Sequence, residues 1–396
     1  MILPFHSTLF LHLLWYPTLA LAASEPQVER SPTPVPRLVW VFDGENEQAS
    51  SALPDSEAID LVRRFGHVEG SPRGPRHMAF DRAGQARCAV AIDSAATLLS
   101  MGPGRTAVLA GGTADLLDEQ CQVRFSHPAE SAAVLLDGAV LAVADEGQLL
   151  FLDAAGEARG SAKLRGAPIL VAAADGGNLI ATTPSSLTVF DPWGRLLSRI
   201  ESESKRTRRL VAGGPDRIYL AMGSGQPETS DDGEDGGEVL QAYALDGTLI
   251  WNEKIEPDLE VTGLWAWPDG RGVLLAVAEH DADWQRVRER RLETRDPAGV
   301  IGWRLPLAVA VRPPGVEVAF AGESGDVAVT LSDASSGTAG EVRRGRILIL
   351  APDGRVRGSL RVTARTRAGG GRLSARGHYL LVNATDSGLL HVYAVP

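Results

Sequence analysis

One short pattern recurs along this chain and constrains its fold more than any other feature: an apolar strand, an Asp, a Gly close behind it, then a second strand. It appears as MAFDRAG (Met78 to Gly84), LLFLDAAG (Leu149 to Gly156), LTVFDPWG (Leu187 to Gly194), LQAYALDG (Leu240 to Gly247), LETRDPAG (Leu292 to Gly299) and LILAPDG (Leu348 to Gly354). ADLLDEQ (Ala114 to Gln120) is a degenerate copy. The Asp markers stand at 81, 118, 153, 191, 246, 296 and 353, so the spacings are 37, 35, 38, 55, 50 and 57 residues. Periods of this size belong to a repeated supersecondary unit. The marker has a local cause, because Asp bonds backbone two residues on and Gly takes the positive φ that closes a tight hairpin.

Polarity rises along each unit. AVLAVA (Ala139 to Ala144) and LLFL (Leu149 to Leu152) are continuously apolar, whereas EARGSAKL (Glu157 to Leu164) sets charges among small and apolar residues. The same grading runs from DVAVT (Asp326 to Thr330) to RVRGSLRV (Arg355 to Val362). Inner strands buried on both faces, followed by an outer strand that meets water, satisfy this order. Four such strands per unit, lettered a to d, make a blade, so the expected fold class is an all-β propeller of four-stranded blades. Six units are complete between Ala95 and Thr363, and Gly371 to Ala394 supplies strands a, b and c alone. Ring closure then needs an N-terminal d strand. ARCAVAI (Ala86 to Ile92) is assigned to it, giving seven blades; Leu38 to Phe42 with Met78 to Asp81 would make an eighth in the alternative. One helix is expected, Ser56 to Phe65, with Asp55 as N-cap, Ile59, Val62 and Phe65 on one face, and Gly66 as stop.

Residues 1–22 contain no Asp, Glu, Lys or Arg and end in Ala20-Leu21-Ala22, a small-residue pattern that signal peptidase accepts. A secretory signal cut after Ala22 is expected, with a secreted or periplasmic mature chain. Pro4 and Pro17 leave too short an apolar run for a membrane span, and none is expected in the mature chain. Residues 23–36 read as a Pro-rich linker and 37–396 as a single propeller domain. Lys and Arg number 39 against 50 Asp and Glu, a net charge of −11, so no positive field exists to recruit nucleic acid.

LQAYALDGTLIW (Leu240 to Trp251) and, more weakly, LETRDPAGVIGW (Leu292 to Trp303) resemble the repeat of quinoprotein-type (PQQ-like) propellers. That resemblance implies that Trp251 and Trp303 cap a turn between neighbouring blades and are structural. Other copies have Ser161 or its equivalents instead. Many quinone-dependent members carry an adjacent Cys pair and acidic calcium ligands. Here Cys88 and Cys121 are not adjacent, so no cofactor is expected and the comparison points to the non-enzymatic branch. A propeller enzyme acting on a sugar or using a quinone is the alternative.

Cys88 and Cys121 lie 33 residues apart, about one repeat, at the start of two outer strands. Corresponding points on neighbouring outer strands splay beyond the ~7 Å reach of a disulfide, so free thiols are expected despite the compartment. Glu279-His280-Asp281-Ala282-Asp283 lacks a metal-site spacing and reads as a polar loop. Trp265 and Trp267 are expected to pack between blades rather than stack on a sugar. The spacing rises above 50 where residues are added between strands b and c: Gly223 to Gly237, Glu279 to Arg291 and Ser332 to Arg344. All b–c connections leave one face of a propeller, and long loops on a rigid scaffold are where recognition concentrates. The expected surface for a protein or other extracytoplasmic partner therefore has Arg286, Arg288, Arg343 and Arg344 as basic contacts. Asp231, Asp232, Glu234 and Asp235, within the acidic run Glu228 to Glu238, form its acidic flank.

Overall fold

The computed structural model describes residues 34–43, 48–68, 76–81, 83–93, 95–102, 104–183, 185–201, 208–223, 238–307, 316–332, 343–364, 371–384 and 389–396. The expected signal segment, residues 1–22, lies outside them. Seven blades of four antiparallel strands follow one another: blade 1 over 97–128, then 131–163, 169–201, 208–254, 259–307 and 316–364, with blade 7 built on 372–394. Blade 3 is representative, with strands Ile169–Ala172, Leu179–Thr183, Ser186–Phe190 and Leu196–Glu201. The most buried strands are b and c, such as Val140–Asp145 and Ser186–Phe190, whereas outer strands such as Ala158–Lys163 alternate toward water. Strand a is half-buried, because one of its faces looks into the ring.

Closure is by an N-terminal strand, though not the expected one. Arg37–Asp43 pairs with Leu389–Ala394 and completes blade 7, and Gln48–Ala49 adds a short fifth strand outside it. Just before Arg37, the Pro34 carbonyl accepts the Ser359 N–H of blade 6 at 3.0 Å. Ala86–Ala91 instead pairs with Arg76–Phe80 in a separate three-stranded sheet whose third member is His67–Val68. This short sheet lies between blade 7 and blade 1, and helix α1 (Ser56–Phe65) takes the inner place that a fourth strand would fill. Ala58 N–H donates to Asp55 Oδ1 at 3.0 Å and Gly66 N–H closes on Val62, as expected. The buried face is Ala58, Leu61 and Val62 rather than Ile59, Val62 and Phe65.

The marker turns explain how blades meet. In the turns beginning at Asp81, Asp153, Asp191 and Asp296, Oδ1 accepts backbone N–H groups two and four residues on. The Gly that follows adopts φ of 74–88°; after Asp153, Asp191 and Asp296 it lets the turn lie directly on the outer strand of the preceding blade, whereas Gly84 faces Leu53. Gly156 faces Phe125, Gly299 faces Trp251, and Gly354 faces Trp303. The indole N–H of Trp251 donates to the Pro297 carbonyl at 3.2 Å, and that of Trp303 to Pro352 at 2.9 Å, so both tryptophans cap the next blade's turn. In blade 2 the corresponding place is held by Gly160, one residue before Ser161.

The same contact overturns the expectation of free thiols. Cys88 and Cys121 form a disulfide with Cα atoms 6.0 Å apart. Cys121 is not in an outer strand. It occupies the fourth position of the Asp118 turn, with φ of 54°, where other copies have Gly. That turn leans on the short sheet's outer strand, which places Cys121 against Cys88 just as Gly156 is placed against Phe125.

Candidate functional site

The b–c face of blades 4 to 6 is the surface the sequence singles out. Its central part is a hairpin in blade 5, with strands Val273–His280 and Val287–Arg295 of 8 and 9 residues. The corresponding strands of blades 1 to 4 have 5 to 7 residues. Most of the extra length between Glu279 and Arg291 is therefore strand rather than loop, and the connection is Asp281 to Arg286 alone. Asp281 organises it: its Oδ1 accepts from Gln285 and Arg286 N–H, and its own N–H donates to the Arg286 carbonyl. The bend places Trp284 at φ of 55° and stacks its ring on the His280 imidazole, centroids 4.2 Å apart and planes 11° from parallel. His280 Nε2 lies 3.0 Å from Glu260 Oε2. Burial, then the nearby Arg290 guanidinium, pushes His280 below the usual imidazole range. The neutral ring with hydrogen on Nε2, donating to Glu260, satisfies both observations.

Arg286 and Arg288 are exposed at the hairpin end. Arg290 and Arg291, which the sequence also assigns to the loop, are buried. Arg291 joins Glu293 at 3.2 Å and Glu279 at 3.6 Å, and Glu293 also holds Arg295 at 2.8 Å and Arg304 at 3.1 Å. These charges form the hairpin's base. Arg343 and Arg344 belong to strand Arg343–Leu350, paired with Ala364 and Thr363, so they stand beside the third connection rather than within it. Asp231, Asp232, Glu234 and Asp235 lie outside the described residues. Glu238, at the end of the same acidic run, is buried, and its carboxylate accepts the Val261 N–H at 2.6 Å, which ties blade 4 to blade 5.

A second feature escaped the sequence. The first strands of blades 1 to 6 and the C-terminal end of α1 enclose an axial cavity of about 990 Å³. Its wall is mainly aliphatic with Phe65, Trp265 and Phe320, and Arg64, Asp137 and Asp175 are its charged residues. Arg64 reaches from α1 to blade 2 and holds Asp137 through two contacts of 2.6 and 3.1 Å. Trp267, by contrast, is buried between blades 5 and 6 with its ring 5.1 Å from Phe320, as a packing residue. No local pattern marks this cavity, because it is assembled from short stretches of six blades, from Ser100 alone in blade 1 to Val171 through Gly176 in blade 3.

No family model matches the chain, and no curated protein sequence matches it. Several solved structures align with about three quarters of the chain. One is the β-propeller domain of Cps50 (Swd1) from Myceliophteria thermophila, at 13% identity and TM-score 0.43, covering 74% of this chain and 93% of that one. BamB from Moraxella catarrhalis aligns at 14% identity and TM-score 0.38, covering 75% and 96%. BBS1N, solved in complex with ARL6DN, aligns at 14% identity and TM-score 0.45, covering 78% and 93%.

Proposed function

We propose that this chain is a secreted or periplasmic propeller of the quinoprotein-type repeat, without catalysis of its own, that captures a protein partner on the b–c face of blades 4 to 6. The hairpin of blade 5 carries this reading: a long strand pair anchored by buried Arg291, Glu293 and Arg295, stiffened by the His280–Trp284 stack, and ending in exposed Arg286 and Arg288. A rigid base with a charged tip limits the side-chain entropy lost on contact and steers an encounter with an acidic partner surface. Arg343 and Arg344 are its further basic contacts, and Asp231, Asp232, Glu234 and Asp235 its acidic flank. The Cys88–Cys121 disulfide supports an oxidising compartment. No helix among the described residues is long and apolar enough to cross a membrane.

The test compares the native chain with a variant whose three b–c connections are cut to two-residue turns, each used as bait in the extracellular or periplasmic fraction. A protein held by the native chain and lost by the folded variant supports the reading. Unchanged capture moves the site to the axial cavity. N-terminal sequencing of the mature protein is expected to begin at Ala23, and a chain beginning at Met1 would reject the compartment.

A further inference from the structure

Among the described residues, seven buried apolar clusters each join two neighbouring sheets. They bridge blades 1 and 2, 2 and 3, 3 and 4, 4 and 5, 5 and 6, 6 and 7, and finally blade 7 and the short sheet with α1. The remaining boundary, between the short sheet and blade 1, has no such cluster among the described residues. It has the Cys88–Cys121 disulfide, the Arg63–Glu119 ion pair at 3.2 Å, and a bond from Gly104 N–H to the Arg63 carbonyl. A cleft of about 280 Å³ lined by Arg63, Asp81, Ala83, Arg87 and Glu119 runs along it. The other side of the short sheet is firmly docked: Leu61, Val62, Met78 and Phe80 pack with Leu381 and Leu390, and Tyr379 and His378 bond Asp55 and Glu57 at 2.6 and 2.9 Å.

We infer that this boundary is a thiol-controlled seam, the place where the ring opens when the disulfide is reduced. Apolar packing holds every other joint without regard to redox state, whereas here a covalent bond stands where packing is thin. Both cysteines are partly exposed, so a small dithiol reaches them. The dithiol supplies two electrons, the Cys88–Cys121 bond breaks, each sulfur takes a proton, and the reductant leaves as its own disulfide. The joint then keeps the Gly104–Arg63 backbone bond and the Arg63–Glu119 ion pair, and water and salt weaken the latter. The α1 end bearing Arg64 and Phe65 is then held at the cavity mouth by the exposed Arg64–Asp137 pair alone, which opens with the seam, while the short sheet stays on blade 7.

Hydrogen exchange read by mass spectrometry on full-length protein, oxidised and after dithiothreitol, tests this. Amides in 56–66, 76–93 and 97–121 are expected to exchange about tenfold faster or more after reduction, with 169–307 unchanged. A Cys88→Ser/Cys121→Gly variant, whose glycine suits the left-handed turn, is expected to show the open pattern with or without dithiothreitol. Unchanged exchange in 76–121 on reduction overturns the proposal. Equal acceleration through all blades does so too, because the disulfide would then be a general staple. Should the variant fail to fold, the reductant titration of the native chain decides alone.

Discussion

At the scale of single residues, the contact between a marker turn and the preceding outer strand is the unit on which blades are joined. Its large members, Trp251 and Trp303, combine ring packing with one hydrogen bond to a turn carbonyl. Trp303→Ala is expected to cost about 2–4 kcal/mol, since both the ring volume and the partner of the Pro352 carbonyl are lost. Urea unfolding of the variant checks this, and Trp303→Phe, which keeps the ring without the N–H, should fall between it and the native chain. Glu293 is a different case, because its carboxylate is 4% exposed and lies among Arg291, Arg295 and Arg304. Glu293→Ala leaves buried Arg295 without that partner and is expected to destabilise the fold by about 3 kcal/mol or more. A stability close to native in the same urea experiment would show that water reaches this site.

At the scale of elements, α1 is held to blade 7 by two carboxylates whose protonation sets its docking. Burial alone would raise Asp55, but the bonds from the Tyr379 hydroxyl and the Ala58 N–H lower it overall. Glu57 behaves alike, with burial opposed by Ser374, His378 and the Arg376 N–H. Folded values below the ordinary 3.8 and 4.5 mean that the stabilisation is complete above those ordinary values and is lost as pH falls through the depressed folded ones. Exchange protection of α1 is therefore expected to be intact at about pH 6 and to fail near pH 3 before that of blades 3 to 5. Loss of protection on raising the pH from 6 to 8 would contradict this sign. The helix itself was legible from Asp55, the spacing of its apolar residues and Gly66. Its role was not, because nothing local states that a helix stands in the place of an inner strand.

At the scale of the whole molecule, Leu389–Ala394 lies between Tyr379–Ala384 and the closing strand Arg37–Asp43. Deleting residues 389–396 leaves two sheet edges unpaired and is expected to cause aggregation, seen by light scattering. A truncated chain that stays monodisperse and melts like the native one would reject closure by Arg37–Asp43.

The repeat length and the four-stranded unit were written in the sequence because their causes are local, whereas the count of seven blades depended on which strand closes the ring. An Asp that bonds two and four residues ahead, a Gly at positive φ, and an apolar run each act within one unit, and the units recur. The candidate contacts were legible only as length: the expansion of blade 5 was visible, but its division into strand and turn depended on the neighbouring strand Leu259–Ala266, which pairs as far as Glu279. Arg290 and Arg291 read as loop charges for that reason, although pairing carries them inward. The choice of closing strand, the short sheet and the disulfide were decided by tertiary structure. Arg37–Asp43 and Ala86–Ala91 are both β-rich segments, and which of them meets the C-terminal strand depends on contacts made across the full length of the chain. Cys121 shows the same limit in one residue, since its turn position is local but the surface it faces belongs to the preceding sheet.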